Sequence, residues 1–209
     1  MDYSFLDKCF LAIRPQTWRL VNELLGRHAV AQEAITTNVI RTDTTVVESN
    51  IHYPTDASLL WDTWRVASRL LSRAREITPK SVPHRFHDRK VKRLYLYVTR
   101  YMPSKSASRQ RQVKETFRTL IQRTAWIVAI AGEFCAQAAS RGGEALAALA
   151  AELQAHLPSM ATIVATAERA QINGEKVPAS QRVFSLFEPH TELIKRGRRQ
   201  KPVEFGHKV

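Results

Sequence analysis

Asp43 is the residue whose type and surroundings best suit metal chemistry. It lies in the run Val39–Val47, which is rich in β-branched residues and predicts a strand. Aspartate is uncommon in strands, and burying its carboxylate without a partner is costly. A carboxylate held rigidly on a strand is a suitable ligand for Mg²⁺, which demands near-octahedral oxygen coordination. An exposed aspartate on an edge strand fits the pattern equally well, so both interpretations stay open.

Basic residues are the second candidate, and the chemistry they indicate is contact with phosphate. The chain of 209 residues has 32 lysines and arginines against 19 acidic residues, a net charge of +13. Such an excess repels itself unless a polyanion is near, and nucleic acid is the usual one. Residues 84–123 alone contain twelve basic and two acidic side chains. We predict DNA contacts at Arg85, Arg89, Lys92, Arg93, Arg109, Arg111, Lys195, Arg196, Arg198 and Arg199.

A simpler interpretation of the basic region is a solvated helix face with its tyrosines turned into the core. Tyr95, Tyr97 and Tyr101 alternate with the basic residues. For the tyrosines we favour the core, and for the arginines we favour DNA because of the charge imbalance. Contacts to phosphate add affinity without reading the base sequence, and they weaken as the salt concentration rises.

The elements that must position these residues are mostly helical. Thr55 is a good N-cap for a helix over Asp56–Ile77, whose apolar residues recur at helical spacing. The remaining apolar periodicity, divided by glycine and proline, predicts helices over 6–13, 16–34, 84–101, 104–140, 144–157 and 158–172. Two late runs, Val183–Phe187 and Val203–Val209, predict a β-hairpin whose tip is Lys195–Lys201.

This order of elements predicts a mostly helical α+β fold in which a large helical insertion interrupts a sheet of about three strands. We place N-terminal helices at 1–35, the first core strand and its loop at 36–56, the insertion at 57–180 and the hairpin at 181–209. The insertion is far longer than an ordinary connection between strands. Because the sheet is only partial, we expect an unpaired edge at Val203–Val209.

Two parts of the chain closely resemble the DDE transposases of bacterial insertion sequences. The segment Asp43–Asp56, DTTVVESNIHYPTD, is similar to the first catalytic block of those enzymes. The segments Arg182–Ile194 and Lys201–Val209 look like the block that follows their helical insertion. The resemblance extends from about Tyr3 to the last residue, so it covers nearly the whole chain.

The resemblance implies a ribonuclease-H-like catalytic core, of which this chain would hold a part. In that core three carboxylates bind two Mg²⁺ or Mn²⁺ ions that promote phosphodiester cleavage and strand transfer, and Asp43 matches the first. The second aspartate and the glutamate have no match, so we expect a piece of a transposase that is inactive alone and binds metal only in the complete enzyme. Glu188, Glu192 and Glu204 do not match those positions, and we interpret them as solvated or paired with the hairpin arginines.

The resemblance implies two DNA partners, the transposon ends and the target DNA. It leaves a homo-oligomer of the full-length enzyme as an open alternative. No apolar run approaches the roughly 20 residues of a bilayer span, and the first residues lack the features of a signal peptide. We therefore expect a cytoplasmic, nucleoid-associated protein with no membrane partner. The alternative is a non-catalytic, basic helical DNA-binding protein, whose DNA binding would need neither Mg²⁺ nor Asp43.

Overall fold

The computed structural model of the chain describes residues 3–34, 46–141, 143–195 and 202–208. The chain divides into two compact units, Met1–Thr44 and Thr45–Val209. The first unit contains the two helices predicted there, α1 over Tyr3–Ala12 and α2 over Pro15–Ala31. Pro15 stands at the first position of α2, where a fixed φ and a missing N–H cost nothing.

The second unit is built on four helices: α3, Asp56–Ile77; α4, Asp88–Tyr101; α5, Ala107–Arg141; and α6, Glu144–Gln171. α3 begins where the sequence predicts, because Thr55 and Ser58 cap it reciprocally. The Ser58 N–H donates to the Thr55 hydroxyl at 3.1 Å, and the Thr55 N–H donates to the Ser58 hydroxyl at 2.9 Å. α3 packs against all three other helices. The core comprises large buried side chains, among them Leu60, Trp64, Leu70 and Leu71 of α3, Phe117, Leu120 and Ile127 of α5, and Leu153, Met160 and Ile163 of α6.

α6 is one continuous helix, so the predicted division into 144–157 and 158–172 is wrong. A proline inside a helix removes one backbone hydrogen bond and crowds the preceding turn, at a cost of about 3 kcal/mol. Leu153 before Pro158 and Met160 and Ile163 after it are all buried in the same core. The packing of this shared apolar face offsets the cost of the proline.

The sheet has three antiparallel strands: β1, Val46–Glu48; β2, Glu192–Lys195; and β3, Val203–Lys208. The strand order is β1-β3-β2, so β3 is central. Val47 pairs with His207 on one side of β3, and Leu193 pairs with Phe205 on the other. The strand that precedes the helical block is therefore joined directly to the strands that follow it.

Two details of the predicted sheet are wrong. Residues 183–187 do not form a strand, since the chain turns there with Phe184 and Leu186 buried. The Ser185 hydroxyl, which accepts hydrogen bonds from the N–H groups of Phe187 and Glu188 at 3.2 and 3.1 Å, closes that turn. The first strand of the hairpin is β2 instead. The unpaired edge expected at residues 203–209 is also wrong, because β3 is flanked on both sides and the described edges belong to β1 and β2.

The predicted fold class, mostly helical α+β, is confirmed by these six helices and three strands of the described residues. In the ranges that the structure describes, no helix combines the length and apolarity needed to cross a bilayer. Most of the predicted strand Val39–Val47, including Asp43, lies outside the described residues, and β1 begins three residues after Asp43.

Candidate nucleic-acid interface

A groove between α4 and α5 collects basic and aromatic side chains along its length. The two helices pack against each other, and α4, with 14 residues, is about 21 Å long. We name it the α4–α5 groove and define it by Arg85, Lys90, Tyr97 and Tyr101 on one side and Arg109, Gln112, Arg123 and Trp126 on the other.

The buried side of α4 explains which of its residues line the groove. Val91 and Val98 are fully buried against the core. At about 100° of rotation per residue, Lys90, Tyr97 and Tyr101 then fall on one flank of the helix, a quarter turn from the buried side. That flank faces α5, as the hydrogen bond from the Tyr97 hydroxyl to Gln112 Oε1 at 2.8 Å demonstrates.

One end of the groove is a cavity of about 260 Å³ beside Trp126. Arg85, Lys90 and Arg123 line it together with the indole. The Trp126 ring is 37% exposed, and its centroid lies 6.2 Å from that of Trp64 in a stacked arrangement. A partly exposed indole among three cations offers a surface on which a nucleic-acid base can stack while phosphates meet the charges.

The other end of the groove holds its arginines against a tyrosine ring. The guanidinium carbon of Arg109 lies 4.4 Å from the ring centroid of Tyr101, and that of Arg100 lies 5.5 Å away. Both distances are within the range of cation–π attraction. The rings of Tyr97 and Tyr101 are 4.7 Å apart. These contacts position the two guanidinium groups at the surface.

The tyrosines of this region divide between core and surface. Tyr95 packs against the core, with its ring stacked at 6.0 Å on Trp61, as expected. Tyr97 and Tyr101 are half-buried and contact groove residues, so the expectation that they turn into the core is wrong for these two. The flank of α4 on which each tyrosine lies, rather than its residue type, decides whether it packs against the core or lies at the surface.

Within the described part of the chain, no basic residue of the groove forms an ion pair with a carboxylate. Asp88, at the first position of α4, accepts a hydrogen bond from Trp64 Nε1 at 2.8 Å instead. The arginines that do form ion pairs there lie elsewhere: Arg27 with Glu23, Arg65 with Asp62, Arg118 with Glu115, Arg169 with Glu175 and Arg182 with Asp56. The charge of the groove is therefore available to an external anion.

The predicted DNA contacts of the helical region occupy three different surfaces. Arg85 and Arg109 lie in the groove. Arg89 and Arg93 are exposed one turn apart on the outer side of α4, opposite Val91 and Val98, and the exposed Lys92 lies beside them. Arg111 is exposed on the flank of α5 that faces away from the groove.

The remaining predicted site residues lie at or beyond the limits of the described chain. Lys195 is exposed at the end of β2. Arg196, Arg198 and Arg199 of the predicted hairpin tip lie outside the described residues, as does Asp43, the predicted metal ligand.

Lys90 and Arg123 belong to the basic region 84–123 without being among the ten predicted DNA contacts, and Trp126 was not predicted to lie beside them. The sequence of α5 indicates part of this surface. Arg109, Thr116 and Arg123 recur at intervals of seven residues, so they lie on one flank of the helix. No local pattern connects Trp126 to Arg85, which are brought together only by the packing of α4 on α5.

The start of α3 and the segment before the late strands are joined outside the sheet as well. Arg182 Nη1 lies 2.8 Å from Asp56 Oδ1, and Gln171 Nε2 donates to Asp56 Oδ2 at 2.6 Å. The Asp56 side chain is only 9% exposed. This ion pair fastens the start of α3 to the segment that precedes the late strands.

Of the described residues, one group of three has metal-binding side chains close together: Glu188, His190 and His207. It is not the site predicted around Asp43, because two imidazoles and one carboxylate do not match the oxygen ligands that Mg²⁺ prefers. Glu204, interpreted from the sequence as solvated or paired with a hairpin arginine, is buried on β3.

Asp62 on α3 has a buried carboxylate next to His52, which lies in the segment before α3. The side chain of Asp62 on α3 is 7% exposed, with His52 Nε2 at 3.4 Å and Arg65 Nη2 at 3.1 Å. Burial raises the pKa of the Asp62 carboxyl, and the charges of His52 and Arg65 oppose part of that rise. The folded state therefore binds this proton more tightly than the unfolded state does.

We expect Asp62→Asn to remove a pH dependence of stability that this carboxyl causes. A raised pKa contributes most to the unfolding free energy below the unfolded pKa, and the contribution falls as the pH rises to the folded pKa. The stability of Asp62→Asn relative to the parent should therefore increase from acid to neutral pH. Urea unfolding of both proteins at several pH values measures it, and a difference that does not vary with pH would contradict the expectation.

Comparisons of the chain with protein-family models, with curated proteins and with solved structures find no match. The features of the described residues that bear on function are the unpaired basic charge of the α4–α5 groove, its partly exposed indole, and the sheet that joins β1 to the strands after the helical block.

Proposed function

We propose that the chain binds DNA through the α4–α5 groove and belongs to a DDE-type transposase in which Asp43 is the first metal-binding carboxylate. The observation that carries the DNA-binding part is the groove itself, where basic side chains without carboxylate partners in the described chain surround a partly exposed tryptophan. Helix α4, which forms one side of the groove, is about 21 Å long, which corresponds to roughly six nucleotides at 3.4 Å per step.

The groove contacts DNA mainly through phosphates. Arg85, Lys90 and Arg123 supply charge at one end, and Arg109 supplies it at the other. The forked guanidinium group of arginine fits phosphate oxygens. Contacts to phosphates position a protein on DNA but do not read the base sequence. Binding is therefore weakly dependent on base sequence and strongly dependent on salt.

The transposase part rests on the resemblance of the two blocks and is supported by their union in one sheet. β1, directly after Asp43, pairs along β3 of the late block, and Arg182 pairs with Asp56 across the helical insertion. Mg²⁺ or Mn²⁺ bound at Asp43 would supply the charge that activates the attacking oxygen and stabilises the leaving oxygen. Asp43 would hold that ion with carboxylates beyond these two blocks.

A salt titration tests the DNA-binding part. Fluorescence anisotropy with a labelled duplex of arbitrary sequence should give an affinity that falls steeply between low and moderate salt. A second, unrelated duplex should bind about equally well. Affinity that stays flat across the titration would exclude the groove as a phosphate-binding surface.

Strand-cleavage assays with Mg²⁺ or Mn²⁺ test the transposase part. The chain should bind transposon-end or target DNA without cleaving or joining it, because the two blocks supply only one of the three carboxylates. Robust cleavage that is abolished by Asp43→Asn would contradict the expectation that the blocks supply one carboxylate alone.

The second candidate is a non-catalytic DNA-binding protein. It is favoured by one observation, that the basic side chains beside Trp126 lie on and next to helices α4 and α5 and need no metal ion to contact a phosphate. It predicts DNA binding that is the same with and without Mg²⁺ and the same in Asp43→Ala once folding is matched.

A further inference from the structure

Three side chains at one end of the sheet form a group with the composition of a zinc site. Glu188, His190 and His207 each direct one ligand atom to within 4.8 Å of the other two. The imidazole rings of His190 and His207 are stacked with centroids 4.6 Å apart. They come from two separate elements, since His207 is on β3 and the other two belong to the turn before β2.

The backbone around these residues is held in place by hydrogen bonds. The Glu188 N–H donates to the Ser185 hydroxyl at 3.1 Å, and the Thr191 N–H donates to the Glu188 carbonyl at 3.1 Å. His207 is fixed by its pairing with Val47 in the sheet. The group is therefore assembled by the fold rather than by a flexible tail.

A hydroxyl relay supports the His207 ring. Ser49 Oγ lies 3.3 Å from His207 Nε2, and the Thr191 hydroxyl donates to Ser49 Oγ at 3.1 Å. A polar contact to one ring nitrogen, which orients the imidazole, is the usual outer support of a metal-bound histidine. The same relay ties β1, through Ser49, to the turn that carries Glu188 and His190.

The chemical types of the three ligand side chains indicate which class of cation they bind. Two imidazoles and one carboxylate suit Zn²⁺ and related transition metals, whereas Mg²⁺ prefers oxygen ligands alone. Zinc bonds of about 2.0–2.1 Å in a tetrahedron place ligand atoms about 3.4 Å apart, so the present spacing must contract by about 1.4 Å or less. Rotation of the exposed His190 and the half-buried Glu188 can supply that movement without moving the sheet.

A cavity adjoins one of the three ligands, His190. His190 lines a cavity of about 490 Å³ with Arg182, Phe184, Pro189 and Thr191. Within the described residues, no lysine or arginine forms an ion pair with the Glu188 carboxylate, so its charge is available to a cation. Three protein ligands leave the fourth tetrahedral position to water or to an oxygen of a bound molecule.

We propose that Glu188, His190 and His207 bind a zinc-class divalent cation with an open fourth position, independently of the Asp43 site. The proposal does not depend on DNA binding or on transposition. The ion would cross-link the turn before β2 to the central strand, so it would stabilise the sheet by binding only the folded chain.

Metal titration of the full chain, purified without a histidine tag and treated with chelator, tests the proposal. Isothermal titration with ZnCl₂ alone should give one ion per chain, and Co²⁺ should give the visible absorption of a tetrahedral complex. Millimolar MgCl₂ should not displace either ion. Absence of Zn²⁺ binding at micromolar concentrations, or full displacement by Mg²⁺, would overturn the proposal.

Variants assign the ligands. His190→Ala, at an exposed position, and Glu188→Gln should each weaken Zn²⁺ binding by more than about 100-fold, since outer contacts alone are worth about 10–100-fold. Ser49→Ala should weaken it by about 10-fold. His156→Ala, which removes a half-buried histidine of α6, is the matched control and should bind Zn²⁺ like the parent. Equal affinity of His190→Ala and His156→Ala would refute the site even if His207→Ala fails to fold.

Discussion

Replacing Arg85, Lys90 and Arg123 together by glutamine is expected to weaken DNA binding roughly 500-fold at about 0.1 M salt. Each lost phosphate contact removes about 0.9 from the slope of log affinity against log salt, which is about eightfold in affinity per contact at that concentration. The slope should therefore fall by about three. Glutamine retains side-chain length and polarity, so the cavity beside Trp126 keeps its lining.

A triple variant with the same loss of charge elsewhere is the control for this prediction. Arg69 and Arg73 are exposed on α3, and Lys80 is exposed just after it. Replacing these three by glutamine also lowers the net charge by three, and it should reduce affinity only slightly, because screening weakens charges that lie away from the DNA. Equal losses in the two triple variants would show that binding follows net charge and not the groove.

Gly206→Ala is expected to lower the unfolding free energy by about 3 kcal/mol, the upper part of the range for overpacked sites. A Cβ on Gly206 would overlap the carbonyl group of Val47 and lie 3.0 Å from the Glu48 Cα. Backbone atoms of a paired strand cannot move aside without breaking the ladder, so β1 must separate from β3. Urea unfolding measures the loss, and amide hydrogen exchange should show reduced protection of Val46–Glu48.

Gly132→Ala is the matched control for the sheet variant. A Cβ on Gly132 in the interior of α5 would meet nothing within 4 Å, and alanine is a better helix former. This variant should be as stable as the parent or more stable by about 0.4–1 kcal/mol. If Gly206→Ala is as stable as Gly132→Ala, then β1 does not pair with β3 as described.

The Gly206 prediction also bears on the proposed function. The pairing of β1 with β3 brings the strand after Asp43 to the late block, whereas the α4–α5 groove is built from helices alone. Where Gly206→Ala remains folded, its DNA affinity should equal that of the parent, although the proposed Zn²⁺ site on β3 should be weakened. A loss of DNA binding without unfolding would place the DNA-contacting surface at the sheet.

Features that depend on neighbours in the chain could be predicted from the sequence. The start of α3 at Asp56 follows from the Thr55 and Ser58 caps, and the helical region follows from its apolar spacing. The excess of positive charge follows from the amino-acid composition and does not depend on the fold. The mostly helical α+β class followed from these local signals because each acts over a few residues.

Features that depend on distant contacts could not be predicted from local pattern. Pro158 remains inside α6 because buried side chains on both sides share one core, and residues 183–187 form a buried turn although their composition favours a strand. β3 takes the central place in the sheet, which neither its own residues nor its neighbours in the chain specify.

The sequence alone determined where α3 begins, the mostly helical class of the chain and its net charge of +13. Only the tertiary structure decided that Arg123 and Trp126 meet Arg85 across two helices, and that Glu188 and His190 meet His207 across a turn and a strand. The physical reason is the range of the interactions. Capping, periodicity and net charge are set by neighbouring residues, whereas a binding surface requires side chains that only the packing of whole elements brings within a few ångströms.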